Sequence, residues 1–138
     1  MEELSSQSSL DTLSEPSIDG ARALSHACGD MDLFARLVGV FLRTGPADMA
    51  LLVDALNSDG IDETCRLAHR VAGSASTMGA RTTERLARRI ELELAQGKSQ
   101  KARVTLGELQ MALARDLRAL QGLIIPKTAL SPPALTGV

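Results

Sequence analysis

The sequence predicts an all-α protein, an antiparallel four-helix bundle preceded by one or two short N-terminal helices. Three observations carry this. Apolar residues recur at i, i+3 and i+4 in successive segments, and no segment alternates with a period of two. Short glycine-containing turns close these segments, so consecutive helices can bury their stripes only against one another. Aromatic residues are 1% of the chain, Phe34 and Phe41 alone, whereas sandwiches and barrels lean on aromatic and β-branched pairs.

Element by element, a short helix is expected around Ile18–His26. Asp30 then N-caps a helix carrying Leu33, Phe34, Leu37, Val38 and Phe41. Gly45–Pro46 is expected to interrupt it, because proline suits the first turn of a new helix. That new helix carries Met49, Leu52, Val53 and Leu56, and the turn residues NSDG at 57–60 end it. The next runs from Ile61 to Met78 and ends at Gly79, a residue suited to a left-handed cap. Another spans Ala80 to Ala95, with Leu86, Ile90 and Leu94 inward, and ends at Gly97. The last starts near Ser99 and carries Leu106, Leu109, Leu113, Leu117, Leu120 and Ile124 on one stripe. The bundle thus occupies residues 17–125. Residues 1–16, acidic and serine-rich, are expected to be flexible, and the proline-broken 126–138 to be a disordered tail.

Composition narrows the function. The 138 residues hold 15 basic and 17 acidic side chains for a net charge of −2, so nothing global calls for nucleic acid. The missing aromatics also argue against platforms that stack bases. No apolar run approaches the ~20 residues that span a bilayer, and the opening MEELSSQSSLDTLSEPS reverses the basic-then-apolar order of a signal peptide. Cys28 and Cys65 form no paired motif, so a cytoplasmic, reducing setting is expected. His26, Cys28, Cys65 and His69 offer zinc-type side chains, but Cys65 falls on an apolar helix face and His69 off it, and the expected metal set is none. RLARRIE (85–91) interleaves arginines with core positions and reads as a solvated or docking face.

The informative stretch is IDETCRLAHRVAGSASTMGA, residues 61–80. At about 100° per residue, Ile61, Thr64, Cys65, Ala68, Val71, Ala72 and Ala75 gather on one side, with Leu67 and Met78 extending it. His69 projects off that side, sharing a face with Asp62, Arg66, Gly73 and Ser76, and Arg70 lies beside them. Singly, a surface histidine, a helix glycine and surface arginines are ordinary. Together they describe a nucleophilic imidazole beside a position cleared of side-chain bulk, flanked by cations suited to a dianion.

AHRVAGSASTMGA resembles the signature of histidine-containing phosphotransfer (HPt) domains, A-H-x-L-K-G-S-x-x-x-x-G-A. The match includes Ala68, His69, Val71, Gly73, Ser74, Gly79 and Ala80, and TTERLARRIELE resembles the family's L-x-x-x-L-E pattern. The likeness covers residues 18–122 and implies a helical bundle in a two-component phosphorelay. It implies His69 as phosphoacceptor from a receiver-domain aspartate, passing the group to another receiver aspartate. Kinase or ATPase activity is not implied, and no Walker-type or kinase glycine-rich loop is present. By the same resemblance Glu91 hydrogen-bonds the imidazole and Mg2+ resides on the receiver, while the helical face itself offers Arg66, Arg70, Gly73 and Ser76 as the phosphoryl or docking surface. The family's lysine three residues after the histidine is here Ala72. Either Arg66 or Arg70 supplies its charge, transfer is slower, or the domain serves binding alone. The alternative reading is therefore a non-catalytic helical adaptor that binds a receiver. Either module could stand alone or form the cytosolic end of a membrane-bound hybrid sensor kinase.

Overall fold

The computed structural model describes residues 18–124; the segments 1–16 and 126–138 lie outside them. Five helices follow in order: α1 (Gly20–His26), α2 (Met31–Asn57), α3 (Ile61–Thr77), α4 (Arg81–Ala95) and α5 (Ser99–Ile124). Among the described residues the β structure is limited to an isolated bridge between Ile18 and Ala80. Three-residue connections turn α3, α4 and α5 each back on the helix before it. α2 packs on α3, α3 on α4, α4 on α5, and α5 closes the bundle against α2. This is the expected four-helix bundle with one short helix ahead of it.

Local chemistry sets the boundaries. Asp19 caps α1 by accepting from Arg22 N, and Asp30 caps α2 by accepting from Asp32 N and Leu33 N. α3 has no side-chain cap, but Asp62 and Glu63 in its first turn complement the helix dipole. Gly79 and Gly97 end α3 and α4 at φ +68° and +73°, where a Cβ is disfavoured. Gly79 is doubly required: a Cβ there would overlap the Asp19 carbonyl oxygen, and Asp19 N donates to Gly79 O at 2.8 Å. That backbone contact ties the entry of α1 to the far end of α3.

The expected break at Gly45–Pro46 is absent; α2 runs through it as one helix of 27 residues. Proline keeps a helical φ and forfeits one backbone donor. Against that loss, Phe34, Val38, Phe41, Gly45, Met49, Leu52 and Leu56 are all buried and continue in unbroken i+3/i+4 steps. Each large side chain among them contributes roughly 1.5–3 kcal/mol on burial, so keeping both halves on one stripe outweighs the proline. Gly45 lets α5 approach, its Cβ position lying 3.6 Å from Leu113 and 3.7 Å from Leu117.

The core is mostly leucine and alanine, with polar groups inserted. Thr64 Oγ1 donates to the Gly60 carbonyl at 2.6 Å. Thr83 Oγ1 donates to the fully buried Asp116 at 2.7 Å, joining α4 to α5. Leu33 and Ile61, assigned inward from the sequence, are exposed at the starts of α2 and α3, and Cys65 is half-buried. No described helix is long and apolar enough to cross a membrane.

Candidate functional site

His69 sits in the middle of α3, between the buried Ala68 and the core-facing Val71. Its side chain is 72% exposed, because 100° of rotation carries it past the edge of the buried stripe. The ring is nevertheless held: Nδ1 lies 3.2 Å from Glu91 Oε2 on α4. A carboxylate oxygen only accepts, so Nδ1 carries the proton and donates. Nε2 then keeps its lone pair and faces outward. The Glu91 side chain is 29% exposed, so the partner is more deeply seated than the ring it contacts.

Gly73, one turn beyond His69, is exposed, and a Cβ there would meet nothing within 4 Å. Bundle packing therefore does not demand glycine at this position. Gly107 and Gly122 on α5 are equally open, so space alone marks no site; Gly73 differs in lying beside the histidine. Ala72, in contrast, is fully buried. A longer side chain at 72 would start inside the core rather than beside the imidazole.

The two arginines are occupied. Arg66 forks onto Glu63 in its own helix, Nε to Oε1 at 3.0 Å and Nη2 to Oε2 at 2.6 Å. That hydrogen bond, with the nearby charge, holds the Glu63 carboxyl below its ordinary value and the Arg66 guanidinium above its own. Arg70 turns the other way, toward α2, donating to both oxygens of Asp48 at 2.9 and 3.3 Å. Asp48 is almost wholly buried. Ser76 is half-buried, and its hydroxyl receives Arg22 Nη2 from α1 at 3.4 Å. The structure thus gathers His69, Glu91 and Gly73, while Arg66, Arg70 and Ser76 lie around them with partners of their own.

His26 also has an ordered ring, its Nδ1 donating to the Thr77 carbonyl at 3.0 Å. No carboxylate backs that ring. Cys28 is exposed and Cys65 half-buried. Burial pushes the Cys65 thiol up, with the Glu91 and Asp62 carboxylates adding to the effect, which disfavours the thiolate a metal would need. Among the described residues no group of three or more His, Cys, Asp or Glu side chains is placed to hold a metal ion.

Sequence reasoning overlooked Asp48 and Asp116. Both are acidic residues standing at inward i+3/i+4 positions, between Gly45 and Leu52 and between Leu113 and Leu120. A charge on an apolar stripe is the signal that would have found them.

A family model for the Hpt domain matches residues 36–122, well over half of the chain. The crystal structure of the HPT domain from a sensor hybrid histidine kinase of Shewanella has the same fold, with a TM-score of 0.69 at 19% identity. The alignment covers 78% of this chain and 93% of that one. No curated protein matches the chain. The chain belongs to the Hpt domain family, and is thereby a phosphotransfer module of two-component signalling.

Proposed function

We propose that this chain takes a phosphoryl group onto His69 Nε2 from an aspartyl phosphate of a receiver domain and returns it to another receiver aspartate. The observation that carries the reading is the contact between the His69 ring and Glu91. The Nε2 lone pair attacks phosphorus as the bond to the aspartyl oxygen breaks, and the donor leaves as a carboxylate. Nδ1 keeps its proton throughout, so the phosphorylated ring is cationic and Glu91 stands against that charge. The second transfer reverses these steps: an acceptor carboxylate attacks and the neutral imidazole leaves. No proton is exchanged in either direction, which suits a reaction governed by positioning and electrostatics.

The surface around His69 and Gly73 is the docking face for the receiver, which brings Mg2+ and the remaining charged groups. An imidazole exposed on a helix has no water-excluding walls of its own, so the partner must supply them. Two free cysteines and the lack of a membrane-crossing helix among the described residues support a cytoplasmic setting.

The reading is tested by incubating the purified chain with receiver domains phosphorylated by acetyl phosphate. Label that is acid-labile and base-stable should pass to the chain and be absent from His69→Gln. A receiver that binds without transferring label would instead make the chain an adaptor.

A further inference from the structure

We propose that Arg88 binds the phosphoryl group on His69, leaving Glu84 to cross the open surface above Gly73; this rests on the phosphotransfer reading. A phosphoryl group brings close to two negative charges, and Glu91 already places a carboxylate at the ring. The loaded site is therefore short of a cation.

The register of α4 places one. α4 has two flanks. On the α5 side, Arg89 approaches Glu108 at 3.7 Å and Glu93 accepts from Thr105 at 2.7 Å. On the α3 side, Glu91 holds His69. Glu84, Arg88 and Glu91 follow one another at i, i+4 and i+7, so all three share the α3 flank. α3 and α4 are antiparallel neighbours. Stepping back along α4 from Glu91 to Arg88 therefore runs forward along α3 from His69 toward Gly73, whose outer surface is empty. Axes of packed helices lie about 8–10 Å apart, a gap that an arginine side chain can largely bridge.

The two arginines that flank His69 on α3 are less available. Releasing Arg70 would strand Asp48, whose side chain is 7% exposed, and a buried carboxylate without its partner is strongly disfavoured. Arg66 grips both oxygens of Glu63 and lies on the turn before His69, away from Gly73. Arg88 places Nε and Nη2 on a single oxygen of Glu84, at 3.1 and 3.0 Å, with its side chain 48% exposed. The Glu84 side chain is 20% exposed, against 7% for Asp48, so this pair within one helix gives up its guanidinium more readily than Asp48 does, and a dianion attracts a guanidinium more strongly than a carboxylate does. Arg88 moves no proton in the reaction; it exchanges one acceptor for another.

The test uses phosphoramidate, a small donor that removes receiver docking from the measurement. Its P–N bond breaks, a bond from Nε2 to phosphorus forms, and ammonia leaves. The labelled fraction at limiting donor, and its decay after donor removal, are followed for the whole chain, Arg88→Gln, Arg88→Lys and Glu84→Gln. Arg88→Gln should lower the labelled fraction several-fold and flatten its dependence on salt, Arg88→Lys should restore part of it, and Glu84→Gln should raise it. Thermal melts should change only slightly, since the ion pair that is lost lies within one helix at the rim of the bundle. Labelling of Arg88→Gln equal to that of the parent chain overturns the proposal, as does a Glu84→Gln that behaves like Arg88→Gln. Absence of label on the parent chain with phosphoramidate and with a phosphorylated receiver alike overturns the phosphotransfer reading and this proposal with it.

Discussion

The two flanks of α4 use similar chemistry to opposite ends. Along the seam with α5, Thr83 donates to Asp116, which has no exposed surface, and Thr105 donates to a half-buried Glu93. Along the rim with α3, a carboxylate again accepts a hydrogen bond, but the donor ring is 72% exposed. In the seam the hydrogen bond satisfies groups that could not otherwise be buried. At the rim it fixes which nitrogen carries the proton and leaves the other facing outward. Exposure of the donor, rather than the type of bond, separates the structural contact from the one we propose to be reactive.

That difference can be attacked from both sides. The largest effect is expected from Ala72→Lys, which puts a charge at a fully buried position. Overpacking alone costs about 1–3 kcal/mol, and the ammonium must also snorkel outward. Urea unfolding should show a loss at or beyond the upper end of that range, with no faster phosphoryl transfer. A stable and faster variant would mean that the lysine reaches the rim after all.

Next comes Thr83→Val, which removes one donor from Asp116 and should cost about 1–3 kcal/mol. Transfer per folded molecule should stay unchanged, because the seam takes no part in the chemistry. A parallel loss of transfer would join the two flanks into one functional unit.

These seam contacts were the least legible part of the molecule. The helices around Asp30, Gly79 and Gly97 could be read in sequence because their caps are local: a side chain or a left-handed glycine acts within a few residues of itself. The continuity of α2 could not, since it depends on Pro46 being outweighed by packing against α3 and α5. His69, Gly73 and Glu91 were legible through the motif, but the sequence held no distance between α3 and α4. Arg66 and Arg70 looked like a cationic surface on a helical wheel. Their partners are another matter: Glu63 was available locally, whereas Asp48 is 22 residues away and only the fold brings it to Arg70.

A smaller effect is expected at Gly73. Gly73→Leu should raise helix stability by up to about 1 kcal/mol, because glycine is the poorer helix former and a Cβ meets nothing there. Transfer from a receiver should nevertheless fall, since the added bulk stands beside His69. A clear loss of stability, seen in thermal melts, would return Gly73 to a packing role.

The smallest effect belongs to Glu63. Its carboxyl is held below the ordinary value of 4.5 by the hydrogen bond from Arg66. A lowered carboxylate contributes stability above its ordinary value and loses it as pH falls through the lowered one. Because Glu63 and Arg66 are both exposed, salt and water screen the contribution. Stability curves of the parent chain and Glu63→Gln should differ slightly at neutral pH and converge in acid. A gap that widens in acid would contradict this sign.

In the proposed reaction Glu91 fixes the His69 tautomer so that Nε2 receives the phosphoryl group. Long-range 1H–15N correlation spectra of the imidazoles, recorded with 31P coupling before and after phosphorylation, test it directly. Phosphorus is expected on Nε2 of His69 with Nδ1 protonated; phosphorus on Nδ1, or on the ring of His26, would overturn the proposed role of Glu91.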